Sequence, residues 1–355
     1  MWTTRLGGVP ERVLRNAVFI NGRAYSFYRA YNPRTGHSRN DVHVSIFDTA
    51  SYQWVTTPTT LSLLSNPNDI LRYVFVAVAC EQCAYVWEGP DSAPSQNTLY
   101  CFDTTTMSWS CPEVSGDVPT SLSSSYACVL DGRMYLFDVW DRSQGLHFLD
   151  LDTMHWHLLT TSGEAPFGLC SAPSVIGTRV YLWRGCSVIS AQDDYLVWDK
   201  SVYYLETTTA TWVRQLVQGV TPEARLGHSV FVHDGELYIF GGCHPLRRTF
   251  FADMHKYNPD TRRWTEVKPY GSGPSARCGH GCFIFGEKVF IFGGFSPPVN
   301  PEGTVEVLTD LHVLHLLKPT LKNMCLLAII DARMDETHLP PFIRKMINDI
   351  ASRPS

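Results

Sequence analysis

The side chains in this sequence most capable of chemistry are its cysteines and histidines. Cys80-Glu81-Gln82-Cys83 carries the CxxC spacing used by zinc and thiol–disulfide sites, and Cys278 and Cys282 stand at CxxxC spacing. A structural zinc needs four ligands, and no second CxxC supplies the other half. His155-Trp156-His157 would put two imidazoles on one face of a strand, the minimum for a chelate, yet a plain strand surface accounts for the pair without a metal. Gly271-Ser272-Gly273 has the glycines of a phosphate loop but not its lysine, and reads as a turn between repeats. Serine, histidine and aspartate are plentiful but fall in no recognisable triad order. The expectation is a non-enzyme, with no catalytic residues, metal or cofactor.

What positions these residues is a repeat. Trp2, Trp54, Trp109, Trp156, Trp212 and Trp264 recur with gaps of 52, 55, 47, 56 and 52. A β-type sequence with a period of roughly 50 residues predicts a propeller. Each unit carries two aromatics at i and i+2, hence on one strand face: Tyr25/Phe27, Tyr85/Trp87, Tyr135/Phe137, Tyr181/Trp183, Tyr238/Phe240 and Phe290/Phe292. Upstream, Asn21-Gly22, Asp131-Gly132 and Asp234-Gly235 suit the positive φ of a type I′ hairpin. Six residues before each of five tryptophans stands Asp48, Asp103, Asp150, Glu206 or Asn258, a second turn signal. Two hairpins make one four-stranded blade. Six aromatic pairs predict six blades. The last third strand, near 310–316, runs into Lys318-Pro319 without a tryptophan of its own. Trp2 supplies the missing outer strand, so the ring is closed by the N-terminal strand and leaves no open sheet edge.

Bulk properties agree with an all-β core. Hydrophobic residues make up 44% and aromatics 12%, and the net charge of −5 offers no basic stripe for nucleic acid. No apolar run approaches the roughly 18 residues of a membrane helix, and residues 1–5 show no secretory signal. Eleven cysteines without framework spacing suggest reduced thiols, hence a cytoplasmic or nuclear location.

Two units carry a family resemblance. Pro222-x-x-Arg225-x-x-His228-Ser229, Leu237-Tyr238-Ile239-Phe240-Gly241-Gly242, Tyr257-Asn258-Pro259 and Trp264 together resemble a kelch repeat. Pro274, Arg277, His280 and Phe290-Ile291-Phe292-Gly293-Gly294 match it again. The resemblance implies a six-bladed kelch β-propeller over residues 1–317, followed by a short α-helical tail over 318–355. The first four units depart from the pattern. Tyr28-Arg29, Glu88-Gly89, Asp138-Val139 and Arg184-Gly185 stand where the family has a glycine doublet.

The tail has its own pattern. Leu321, Met324, Cys325, Ala328 and Ile329 make one apolar helical stripe, with Thr320 as a candidate N-cap. Pro340 and Pro341 can open a second helix, with Ile343, Met346, Ile347 and Ile350 on its apolar face. Residues 320–329 resemble a BC-box, which implies elongin C binding through Thr320, Leu321, Met324, Cys325 and Ile329. Residues 339–347 resemble a cullin 2 box, which implies contacts from Leu339, Pro340, Ile343 and Ile347. Such a tail implies the substrate receptor of a cullin 2 RING ubiquitin ligase, with elongin B–elongin C, cullin 2, a RING subunit and a degron-bearing protein as partners. The alternative is a kelch scaffold for a cytoskeletal, chromatin or signalling partner, its tail docked on the ring.

Relatives of this type read C-terminal peptides through arginines after the fourth unit's aromatic strand and a serine beside the fifth unit's histidine. Here that loop reads Cys186-Ser187-Val188-Ile189-Ser190-Ala191, and the serine position is Gly227. Arg184, Arg225, Arg247, Arg248 and Arg277 remain as candidate substrate contacts, because a buried carboxylate needs charge-assisted donors. Structural roles in the repeat are open to the same residues.

Overall fold

A computed structural model describes residues 1–5, 17–31, 38–62, 75–88, 98–119, 125–138, 145–166, 172–183, 187–188, 196–197, 199–244, 246–247, 249–298, 305–316, 325 and 339–344. They form six sheets arranged as propeller blades, each four antiparallel strands with, in three of them, a short parallel strand added at the outer edge, plus two short ribbons. Blade 1 runs from Val18–Ile20 through Arg23–Tyr31 and Ser38–Asp48 to Gln53–Ser62. Blades 2, 3, 4 and 5 begin at Phe75–Cys80, Ser125–Leu130, Ser174–Ile176 and Ser229–His233, and their tryptophan strands are Ser108–Ser110, His155–Leu159, Thr211–Gln215 and Arg263–Val267. Blade 6 takes Gly281–Phe285, Lys288–Phe292 and Leu311–His315 from one end of the ring. Its outer strand is Trp2–Arg5, paired antiparallel with Trp2 opposite Leu314. The N-terminal strand therefore closes the ring, as the position of Trp2 predicts.

The turn signals act as expected. Asn21, Asp131 and Asp234 have φ near +50°, and each is followed by a glycine at positive φ. At the second hairpin, Asp48, Asp103 and Asp150 accept backbone N–H groups two and three residues on, and Asn258 accepts that of Thr261. These side chains thus satisfy turn amides that would otherwise need water. Glu206 reaches instead to the hydroxyl of Thr208.

Packing follows a single rule around the ring. The second aromatic of each blade meets the tryptophan of the next: Phe27 with Trp109, Trp87 with Trp156, Phe137 with Trp212, Trp183 with Trp264, Phe240 with Trp2, and Phe292 with Trp54, at centroid separations of 4.9–6.1 Å. Each ring pair sits inside a core that straddles two neighbouring blades, so the six cores link every blade to the next and blade 6 back to blade 1. A tryptophan burying about 200 Å² contributes up to about 5 kcal/mol, and the tilted ring contacts add to it.

Strand direction gives the ring two distinct faces. The tight hairpins after each first strand, such as Asp234-Gly235, and those after each third strand lie on one, the turn face. The connections between second and third strands, including residues 184–201, 241–253 and 293–310, leave from the other, the loop face.

Candidate functional site

At the loop face, blades 5 and 6 carry matching polar assemblies. The positive φ values of Gly241-Gly242 and Gly293-Gly294 turn the chain sharply after the second strand, and a side chain on Gly294 would meet the Cys278 carbonyl and His280 within 3.0 Å. Arg225 donates to both carboxylate oxygens of Asp253, to the Gly241 carbonyl at 3.0 Å and to the Glu223 carbonyl at 3.0 Å. Its guanidinium also lies over Phe251, 4.1 Å from the ring centroid. Arg277 repeats the arrangement with Asp310, at 2.7 and 2.8 Å, and with the Gly293 carbonyl and Ser275. His255 and His312 hydrogen-bond the second oxygen of Asp253 and Asp310, at 2.9 and 2.8 Å.

Burial alone would raise these two carboxyl groups. The hydrogen bonds from Arg225 or Arg277, then those from His255 or His312, outweigh it and hold both well below the usual carboxylate range. The assemblies are joined to one another by backbone bonds: Gly242 N–H donates to the Arg277 carbonyl at 2.8 Å, and Gly279 N–H to the Gly227 carbonyl at 2.7 Å.

This geometry corrects the reading of Arg225 and Arg277 as substrate contacts. Both residues are fully buried, and their donors are taken up by Asp253 or Asp310 and by backbone carbonyls. They fasten the loops of the mouth from inside. Arg247 is different. His244 Nδ1 accepts the N–H groups of Leu246 and Arg247, both at 3.2 Å, and the resulting turn holds these two side chains outward. The Arg247 side chain is 69% exposed, with Glu223 at 3.8 Å. Arg184 and Arg248 lie outside the described residues. Gly227, at φ 65°, offers a ligand no side chain, and its carbonyl is spent on blade 6.

Sequence reasoning missed the apolar part of this face. Leu246 on blade 5, Phe295 and Val307 on the blade 6 ribbon Phe295–Ser296/Glu306–Val307, and Val305 just before it, are large and exposed. The signal available was their place in the second-to-third-strand connections of the two units with glycine doublets. It also missed Asp253 and Asp310, each the residue just before a third strand and two before a histidine.

The remaining motifs have local roles. Cys80 and Cys83 face each other across the first hairpin of blade 2. His155 and His157 share a face of the blade 3 outer strand, their rings 4.8 Å apart. His155 Nδ1 bonds Ser115 Oγ, and His157 stacks on Phe148. Gly271 and Gly273 pack on Trp2, as a turn between blades should.

In the tail, Cys325 is exposed and helical. Residues 341–344 form a helical turn in which Arg344 N–H donates to the Pro340 carbonyl at 3.1 Å. Pro340 is exposed there, while Leu339 and Ile343 are half-buried. Thr320, Leu321, Met324, Ile329 and Ile347 lie outside the described residues.

Six blades, a ring closed by the N-terminal strand, and paired glycine–arginine assemblies define a kelch β-propeller. The KLHDC2/KLHL20/DRC7 Kelch-repeats domain model matches residues 14–181 and 74–294, and the chain belongs to the kelch-repeat family. It is 33% identical over 362 residues to Kelch domain-containing protein 3 of Bos taurus and of Homo sapiens, covering 98% of this chain and 95% of each relative. Kelch domain-containing protein 2 of Bos taurus is 26% identical over 264 residues, 64% of each chain.

Proposed function

We propose that this protein is the substrate-recognition subunit of a cullin 2 RING ubiquitin ligase. The loop face of the propeller holds a peptide degron of a protein substrate, and the tail holds elongin B–elongin C and cullin 2. Leu246, Phe295 and Val307 suit an apolar peptide side chain, and Arg247 suits a carboxylate beside it. The chain performs no bond chemistry in this role. It raises the effective concentration of substrate near the ligase.

The observation that carries the reading is where the chain leaves the ring. Leu316 N–H donates to the Glu287 carbonyl at 2.8 Å, so the chain departs from the turn face, opposite the loops that would hold substrate. Substrate and ligase arms would then occupy opposite ends of a rigid body. The BC-box-like and cullin 2 box-like sequences follow directly.

The test is co-purification with elongin B–elongin C. Leu321→Ala with Cys325→Ala should weaken binding by about 30-fold or more, since truncating a buried apolar anchor costs about 2 kcal/mol at least. The melting temperature of the ring should not move. Undiminished capture by the double variant would leave the scaffold reading in its place.

A further inference from the structure

Six residues occupy one equivalent position, the last of each first strand before its hairpin: Ile20, Cys80, Leu130, Ile176, His233 and Phe285. Ile20 and Leu130 are buried, and Cys80, Ile176 and His233 are half-buried. Phe285 alone of the six is exposed, at 47%. Its ring lies 5.1 Å from that of Phe19 and covers the turn glycine Gly22, so blades 6 and 1 present an aromatic step on the turn face.

The same blade releases the tail. Phe285 pairs with Lys288, and Lys288 with His315, so the Phe285 backbone stands two strand spacings, about 10 Å, from the last residue of the third strand, Leu311–His315. Leu321 follows Leu316 by only five positions, a reach of at most about 18 Å. A globular domain of about 100 residues has a radius of gyration of about 13 Å. A partner of that size seated at Leu321 is therefore within reach of the rim of blade 6.

We infer that the turn-face step of Phe285 and Phe19 is a second contact for the adaptor that the tail binds. This rests on the ligase reading above. The tail residues give the partner its anchor, and the step fixes its orientation relative to the ring. Its occupant is elongin C held at the BC-box-like segment, because the chain leaves the described ring beside this step and the connection to Leu321 is short enough to hold the partner near it.

The experiment uses the full chain with purified elongin B–elongin C. Phe285→Ser should weaken binding about five- to tenfold, the effect of removing a peripheral aromatic contact while the main anchor stays. A photo-crosslinking phenylalanine analogue at position 285 should capture elongin C, and one at Gln82, on the same face of blade 2, should not. If Phe285→Ser binds like the wild type and position 285 captures nothing, the second contact is overturned while the ligase reading stands. Capture of this chain's own tail from position 285 in the presence of elongin also overturns it. Failure of the wild-type chain to bind elongin B–elongin C removes both.

Discussion

Among the described residues, the loop face sets blades 5 and 6 apart from the rest of the ring. All six share the contact between a strand aromatic and the next blade's tryptophan, and that contact lies in the cores between blades. Blades 5 and 6 add the buried arginine–aspartate–histidine assembly at the loop face. In blade 4, Ser201 and Tyr203 stand where Asp253 and His255 do. Asp199 takes up part of the role by accepting the Tyr203 hydroxyl at 2.6 Å and the Ser201 N–H at 2.9 Å, with Arg214 partly exposed beside it. The fold is thus held by a device common to every blade, while the device that holds the mouth is found, among the described residues, in two. A propeller built this way can change its loop face in four blades without losing the ring.

The largest expected effect tests the shared half of that comparison. Trp156→Ala in blade 3 and Trp264→Ala in blade 5 each remove a fully buried indole. Each should cost about 3–5 kcal/mol in urea unfolding, with matching losses in the two blades. A loss confined to blade 5 would show that the polar assemblies, and not the aromatic contacts, carry the ring.

The second effect tests the half that differs. Asp310→Asn keeps an acceptor for Arg277 but removes the charge, at a cost of about 2–3 kcal/mol at pH 7. The sign with pH follows from the depressed carboxyl. A group whose pKa is lower folded than unfolded adds stability that is complete above the unfolded value, about 3.9, and is lost as pH falls through it toward the folded value. The wild type should therefore lose stability below about pH 5, and the gap between it and Asp310→Asn should shrink. Denaturant midpoints at pH 7 and pH 3 measure both. A gap that stays constant would mean that Asp310 acts by packing alone.

The ring was legible in the sequence because its determinants are local and periodic. The tryptophan spacing, the i, i+2 aromatic pairs and the Asn-Gly and Asp-Gly turns each act within one blade, and Trp2 without a repeat of its own foretold the closure. The loop face was harder to read because its determinants are long-range. An arginine that meets an aspartate 28 residues away looks, in sequence, the same as one that faces solvent. Arg225 and Arg277 were therefore candidates alongside Arg247, and only burial separates them. A further periodic signal went unused. Gly116-x-x-Pro119, Gly163-x-x-Pro166, Gly219-x-x-Pro222 and Gly271-x-x-Pro274 mark the links between blades. The first three glycines, all at φ +84°, pair their strand with the next blade's tryptophan strand.

The smallest expected effect asks whether the two ends of a blade are independent. Two residues before five of the six tryptophans, the chain adopts a left-handed conformation without glycine, at Tyr52, Met107, Met154, Ala210 and Arg262. An L-residue there costs about 1–2 kcal/mol, whereas glycine avoids that clash but loses about 0.5–1 kcal/mol more in chain entropy on folding. Ala210→Gly in blade 4 should therefore stabilise the protein by a few tenths of a kcal/mol to about 1 kcal/mol, read as a raised urea midpoint. Arg262→Gly in blade 5 should match it, because Arg262 has the same φ of 52° and lies at the turn end, away from Asp253. Equal gains would confine the arginine–aspartate assembly's influence to the loop face. A gain in blade 4 with a loss in blade 5 would show that the assembly reaches the length of the blade, and that the mouth and the turn face move as one.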